Sequence, residues 1–106
     1  MTTPMQISVE ELKARLDRGE KVFILDVREP WEFQTANLGG KLIPLGDLPH
    51  GLNELDPEME IVTICHHGVR SMRAVAFLRQ NGFAKATNLA GGIDRYSAVD
   101  PKVPRY

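Results

Sequence analysis

Short apolar runs alternate along the chain with stretches whose apolar positions recur every three to four residues. The runs are typical of buried strands, and the wider spacing is typical of amphipathic helices. We predict strands at Ile7, 22–26, 42–44, 60–64 and 86–89, and helices from Ser8 to about Arg18, from Glu29, over 49–55, from Ser71 to Asn81 and over 93–98. Strands that alternate with helices indicate βαβ units and a mostly parallel sheet.

Local signals place several of these boundaries. Ser8 and Glu11 form a capping box, in which side chains satisfy the free amides at the start of a helix. Gly19 and Gly82 follow two of the predicted helices, and glycine is common just after a helix end. In the predicted strand at 22–26 the first four residues are apolar without alternation, as in a strand that is covered on both faces.

Length, composition and charge restrict the class of protein. The 106 residues suit one domain over 1–106, with a core at about 5–98 and a proline-containing tail at 99–106. The net charge of −1 and the interleaved charges argue against nucleic-acid or membrane partners. No apolar run approaches the ~20 residues that span a bilayer, and no signal-peptide pattern begins the sequence. A lone cysteine cannot form an internal disulfide, so we expect a reducing, cytoplasmic location.

The lone cysteine, Cys65, lies between a predicted strand and the helix that begins near Ser71. Gly68 allows a tight turn between them, and Arg70 adds a cation. The loop amides, the helix N-terminus and the guanidinium would each favour the thiolate over the thiol. In parallel sheets ligands bind beyond the carboxyl ends of strands, where Cys65 and residues 26–28 both fall. We therefore predict that Cys65 is a nucleophile that acts on a small anion or on a sulfur atom.

Other interpretations of the same residues stay open at this point. Cys65 could be a small buried hydrophobic residue, because free cysteines are among the most buried residues. His66 and His67 could be solvated, and Arg70 could form only a surface ion pair. A zinc site would need Cys65 together with the two adjacent histidines, whose side chains we expect to diverge, and His50 as a distant fourth ligand. We therefore predict no metal site.

Four stretches of the chain carry a resemblance to a known family. Residues 65–71, Cys-His-His-Gly-Val-Arg-Ser, resemble the active-site loop of the rhodanese family of sulfurtransferases. Residues 26–33, Asp-Val-Arg-Glu-Pro-Trp-Glu-Phe, residues 43–45, Ile-Pro-Leu, and residues 88–93, Asn-Leu-Ala-Gly-Gly-Ile, are similar to further family segments in the same order. The resemblance covers nearly the whole chain. It implies a single-domain α/β fold with a five-stranded parallel sheet and helices on both faces.

The resemblance also implies a double displacement with Cys65 as the catalytic residue. The thiolate would take a sulfane sulfur from a small anionic donor such as thiosulfate, hold it as a persulfide, and pass it to cyanide, a thiol or a protein. Neither a metal nor an organic cofactor is implied. The residues that would bind the sulfur and attract the donor are those of the loop: His66, His67, Gly68, Val69, Arg70 and Ser71.

Asp26 and Arg28 carry over from the family as supporting residues. We expect Asp26 to be a buried charge or part of a capping network. We expect Arg28 to form an ion pair with Glu29 or Glu32. Neither residue is expected to take a direct part in the reaction.

Two alternatives accompany the sulfurtransferase hypothesis. The first is a carrier module that receives its persulfide from a protein, because the tail at 99–106 resembles the ends of rhodanese domains fused to ubiquitin-like-protein-activating enzymes. The second is phosphatase-like or arsenate-reductase-like chemistry. Phosphate-directed relatives have five residues between the cysteine and the arginine, whereas four separate Cys65 from Arg70. The shorter loop makes a tighter cradle, which suits one sulfur atom better than a tetrahedral oxyanion.

Overall fold

Five parallel strands form the centre of the structure, a computed structural model that describes residues 4–106. The strands are β1 (Gln6–Ile7), β2 (Phe23–Asp26), β3 (Lys41–Leu42), β4 (Ile61–Ile64) and β5 (Ala86–Leu89). Their order across the sheet is β1-β5-β4-β2-β3, and each adjacent pair is parallel. The predicted α/β class and the five-stranded parallel sheet are therefore confirmed.

Helices cover both faces of this sheet. They are α1 (Val9–Asp17), α2 (Pro30–Thr35), α3 (Leu48–Gly51), α4 (Val69–Gln80) and α5 (Gly92–Val99), and 3-10 turns at Leu45–Asp47 and Leu52–Glu54 flank α3. Apolar residues of α1 and α5 pack in one cluster, and those of α3 and α4 pack in another, so the two pairs lie on opposite faces. Within residues 4–106, no helix is long and apolar enough to cross a membrane.

The central strand β4 shows why the apolar runs of the sequence do not alternate. All its residues are buried, and successive side chains of a strand point to opposite faces. Ile61 packs in the same cluster as Leu78 of α4, whereas Val62 and Ile64 pack with Leu12 of α1. A strand covered on both faces must be apolar at successive positions, which is the pattern that predicted it.

Two helices near the site have boundaries that differ from the prediction. The helix α4 begins at Val69, before the predicted start at Ser71, because Gly68 is its N-cap with a left-handed φ of 99°. The helix α5 includes Gly92, which the sequence pattern places in a turn, and it extends to Val99, which the pattern places in the tail. Each remaining predicted element overlaps an observed one.

Asp26 and Arg28 form a buried ion pair at the carboxyl end of β2. Nε and Nη2 of Arg28 donate to Oδ1 and Oδ2 of Asp26 at 2.8 and 2.7 Å, and the two side chains are 0% and 1% exposed. Asp26 is therefore the buried charge that we expected. The expected pairing of Arg28 with the side chain of Glu29 or Glu32 is wrong, because Asp26 presents both carboxylate oxygens to the guanidinium fork. Glu32 contributes only its carbonyl oxygen, at 3.3 Å from Nη1.

We expect Asp26→Ala to lower the free energy of unfolding by about 3–5 kcal/mol, because the substitution leaves Arg28 charged and buried without its partner. The double variant Asp26→Ala/Arg28→Met removes both charges and should be clearly more stable than the single variant. Urea unfolding followed by circular dichroism measures both. A loss below about 1 kcal/mol for the single variant, as at an exposed ion pair, would contradict this account.

Candidate active site

The thiol of Cys65 is enclosed by the loop that joins β4 to α4. The residue is 1% exposed, and its side chain contributes to the apolar cluster on the α4 side of the sheet. Three donors point at Sγ: the N–H of Gly68 at 3.0 Å, the N–H of Ser71 at 3.3 Å and the hydroxyl of Ser71 at 3.2 Å. Hydrogen bonds of this kind stabilise the charged form of their acceptor. Cys65 is thus buried, as the simpler interpretation expected, but it is also surrounded by donors that a space-filling residue does not need.

Gly68 makes this convergence possible. Its φ of 99° turns the chain so that its own N–H faces Sγ, and a Cβ at this position would lie 3.3 Å from the Gly91 nitrogen. The N–H groups of Val69 and Arg70, in the first turn of α4, have no hydrogen-bond acceptor within residues 4–106. Such free amides at a helix start are suited to a negatively charged atom.

Asn88 of β5 holds the loop from the neighbouring strand. Its Nδ2 donates to the carbonyl of Gly68 at 3.3 Å and to Oε1 of Gln6 at 3.2 Å, and its Oδ1 accepts a short hydrogen bond from the hydroxyl of Ser71. That hydroxyl has one proton, so it cannot donate to Asn88 and to Cys65 at the same time. Sequence reasoning did not single out Asn88. The sequence does contain a signal for Asn88, because an amide side chain in a strand expected to be buried requires a hydrogen-bond partner.

The start of α5 fixes the backbone of the loop. The N–H groups of Ile93 and Asp94 donate to the carbonyl oxygens of Cys65 and His66 at 2.9 and 3.0 Å. Gly92 permits this approach with a φ of 65°, and a Cβ there would lie 2.5 Å from the Cys65 oxygen and closer still to that of His66. The glycines that the sequence pattern assigned to a turn therefore position the cysteine.

Arg70 forms a two-pronged ion pair with Glu32 of α2. Nη1 and Nη2 donate to Oε1 and Oε2 at 2.7 and 2.8 Å, and the side chains are 35% and 5% exposed. The hydrogen bonds from Arg70 are the main reason that the pKa of Glu32 is lowered to about 2, and the carboxylate in turn raises the pKa of Arg70. Arg70 therefore forms an ion pair, but its partner is buried, so this is not the surface ion pair considered from the sequence. Sequence reasoning missed this pair because the two residues are 38 positions apart.

His66 and His67 do not diverge as predicted. Their rings stack with centroids 4.1 Å apart. The ring of Tyr106 also stacks on His66, with centroids 4.2 Å apart. Nε2 of His66 donates to the backbone oxygen of Tyr106 at 3.0 Å. His67 is 64% exposed, with Nδ1 3.8 Å from Oδ2 of Asp94. No cluster of three or more His, Cys, Asp and Glu side chains in residues 4–106 could hold a metal ion.

The tail ends on the site, a contact that the sequence did not predict. The hydroxyl of Tyr106 accepts from Nη1 of Arg28 and donates to Oε2 of Glu32, both at 2.8 Å. Burial is the main reason that the pKa of Tyr106 is raised. One residue earlier, Nε of Arg105 donates to Oδ1 of Asp94 at 2.9 Å. Tyr106 therefore connects the two guanidinium–carboxylate pairs beside the loop.

The comparison with protein families gives a match to the Rhodanese-like domain over residues 8–99. The chain belongs to the rhodanese-like domain family. The resemblance carried by the loop at 65–71 and its companion segments is thereby confirmed.

Similar proteins include sulfurtransferases and sulfur carriers. YrkF of Bacillus subtilis, named as a candidate sulfur carrier protein, is 40% identical over 89 residues, which are 83% of this chain and 48% of YrkF. A sulfurtransferase of Allochromatium vinosum is 34% identical over 89 residues, which are 83% of either chain. The crystal structure of a rhodanese-like domain protein from Staphylococcus aureus matches with a TM-score of 0.85 and 31% identity, over 97% of this chain and 99% of that one. The chain spans only about half the length of YrkF.

We expect Gly92→Ala to lower the free energy of unfolding more than Gly82→Ala does. Both glycines have a positive φ, of 65° and 90°, so each alanine meets backbone strain of about 1–2 kcal/mol. Only at Gly92 would the added carbon also meet the carbonyl oxygens of Cys65 and His66, because nothing lies within 4 Å of that position at Gly82. Urea unfolding measures the stability, and alkylation by iodoacetamide measures the exposure of Cys65. Equal losses in the two variants would count against the close packing described here.

Glu32 should make the stability of this rhodanese-like domain depend on acid pH. Its pKa in the folded protein is about 2, below the ordinary 4.5, so its stabilising effect is complete above about pH 4.5 and is lost as the pH falls towards 2. In Glu32→Gln this part of the pH dependence should be absent, and urea unfolding at a series of pH values measures it. Glu54→Gln, at an exposed carboxylate, should keep the wild-type slope. A wild-type slope in Glu32→Gln would contradict the assignment.

Proposed function

We propose that this rhodanese-like domain is a sulfurtransferase whose Cys65 carries a sulfane sulfur as a persulfide. The observation that carries the proposal is the convergence of the Gly68 and Ser71 N–H groups on one sulfur atom, with the Ser71 hydroxyl, which Sγ shares with Asn88, beside them. These donors would stabilise the thiolate before the transfer and the negative charge of the persulfide after it. Membership of the family, with its sulfurtransferase relatives, supports the same conclusion.

In the first half-reaction the thiolate of Cys65 attacks the outer sulfur of a donor such as thiosulfate. An S–S bond to Cys65 forms, the S–S bond of the donor breaks, and its electron pair leaves with sulfite. The free N–H groups of Val69 and Arg70 would receive the terminal sulfur, and His66 and His67 would line its approach. Atoms, charge and electrons balance between the two sulfur compounds, so the step as written uses no external oxidant or reductant.

In the second half-reaction an acceptor removes the terminal sulfur. Cyanide, a thiolate or a protein cysteine attacks that atom, the S–S bond to Cys65 breaks, and the electron pair returns to Cys65 as thiolate. Covalent storage divides one transfer into two easier steps. Asp26 and Arg28 would act only as support, because their charges are paired beneath the loop.

A second candidate function is a persulfide carrier that a protein donor loads. The similarity to YrkF, named as a candidate sulfur carrier, favours it. Weak turnover of thiosulfate together with rapid loading by a cysteine desulfurase would identify the carrier. The relatives described above give no support to a phosphatase or arsenate reductase, and Cys65-dependent hydrolysis of an aryl phosphate would be needed to revive that alternative.

The proposed chemistry also defines a set of partners and a place in the cell. It requires a sulfur donor and a thiophilic acceptor, and it requires no nucleic acid or membrane. We include a cytoplasmic location in the proposal, because a catalytic thiolate is readily oxidised and is kept reduced there.

The covalent step can be tested by the intact mass of the protein after incubation with thiosulfate. We expect a gain of about 32 Da, one sulfur atom, which cyanide removes. Cys65→Ser should gain nothing, since Cys65 is the one cysteine in the sequence. Ser97→Ala is the control and should load like the wild type, because its hydroxyl bonds to a carbonyl within α5. Sulfur gain by Cys65→Ser, or no gain by the wild type from either thiosulfate or a cysteine desulfurase, would overturn the proposal.

A further inference from the structure

The positive charge of Arg70, which lies beside the loop around Cys65, is compensated by the carboxylate of Glu32. Both carboxylate oxygens of Glu32 accept from its terminal nitrogens, at 2.7 and 2.8 Å. Oε1 of Glu32 also accepts from the N–H of Glu29 at 3.1 Å, and Oε2 accepts from the hydroxyl of Tyr106 at 2.8 Å. Each carboxylate oxygen therefore has two donors, and the carboxylate cannot turn away from Arg70 without breaking several hydrogen bonds.

The guanidinium of Arg28, the second one beside the site, is compensated in the same way. Asp26 accepts two of its N–H groups, and the remaining hydrogen bonds go to the carbonyls of Glu32 and Ala36 and to the hydroxyl of Tyr106. Each of the two guanidinium groups is thus paired with one carboxylate, Arg28 with Asp26 and Arg70 with Glu32. Together the pairs bring no net positive charge to the loop.

A sulfur donor bound at Cys65 would interact electrostatically with the Arg70–Glu32 pair. Negative charge on Cys65 is among the causes that raise the pKa of Arg70, so charge near the sulfur and the guanidinium interact. Glu32 is held against that same guanidinium and repels what Arg70 attracts. A second negative charge on a donor therefore gains little attraction here.

Resting on the proposed sulfur transfer, we infer that Glu32 is a specificity-determining residue that discriminates against doubly charged sulfur donors. By holding Arg70 in a neutral pair, it favours singly charged donors, such as the persulfide anion of a thiol or of a protein, over thiosulfate. With such a donor the thiolate of Cys65 takes the outer sulfur, the S–S bond of the donor breaks, and the donor leaves as a thiolate. Charge and electrons balance as they do with thiosulfate.

Two small donors that differ by one charge test the inference. Thiosulfate carries two negative charges, and methanethiosulfonate has the same outer sulfur but a methyl group in place of one charged oxygen. In Glu32→Gln, the ratio of kcat/KM for thiosulfate to that for methanethiosulfonate should rise about ten-fold, the order expected on removing one charge a few ångströms away. The ratio within one preparation does not depend on the folded fraction. Glu54→Gln removes an exposed carboxylate that pairs with Lys41 at 3.0 Å, and it should leave the ratio unchanged.

A measurement on the wild-type protein tests the same inference without any substitution. Salt screens the attraction between a charged donor and an uncompensated charge on a protein. We expect kcat/KM for thiosulfate to change less than about two-fold between about 20 mM and about 500 mM KCl. A fall of about ten-fold or more would reveal an uncompensated positive site and overturn the inference.

The outcomes separate the two proposals. If neither small donor nor a cysteine desulfurase loads Cys65 in the wild type, the proposed function fails and the role of Glu32 fails with it. If only the desulfurase loads Cys65, charge is not what excludes small donors, and the role of Glu32 alone is overturned. If both donors load Cys65 but Glu32→Gln keeps the wild-type ratio, the role of Glu32 alone is overturned.

Discussion

The hydrogen bonds from the start of α5 to the loop after β4 are the constraint on which the site depends. They tie the carbonyl oxygens of Cys65 and His66 to the Ile93 and Asp94 amides, so the loop cannot relax away from the sheet. With the backbone fixed there, the turn at Gly68 directs its N–H towards Sγ, and α4 begins immediately after that turn. The N–H groups at this turn and in the first turn of α4 are already directed at Sγ in the folded chain, and preorganised hydrogen-bond donors of this kind stabilise negative charge.

The second constraint is electrostatic. A buried charge needs a partner, because the loss of hydration is not otherwise offset, and Arg28, Asp26 and Glu32 are all buried. Arg28 takes Asp26 and Arg70 takes Glu32, and the Tyr106 hydroxyl bridges the two pairs. Placing a cation beside the thiol therefore also places an anion there. An anion near the thiol would therefore meet the combined charge of the pairs, which is less positive than the charge of Arg70 alone.

The sequence predicted the sheet and the family, and indicated Cys65 as the candidate nucleophile, for reasons that are local. Apolar runs and helical spacing depend on neighbours a few positions apart, and the loop 65–71 is one continuous segment. The start of α4 was placed too late because the apolar spacing that predicts this helix begins near Ser71, whereas its N-cap is the left-handed Gly68. Asn88 was overlooked because its meaning comes from Ser71, which is 17 positions away and on a different element.

The sequence by itself therefore determined the alternation of strands and helices, and the position of Cys65 at the end of a strand before a glycine turn. Only the tertiary structure decided which charges pair and where the tail lies. With 14 acidic and 13 basic side chains in the chain, local order offers Arg28 and Arg70 several acceptable partners. The choice follows from distances in the folded protein, because an ion pair and a stacked ring act over a few ångströms whatever their separation in sequence.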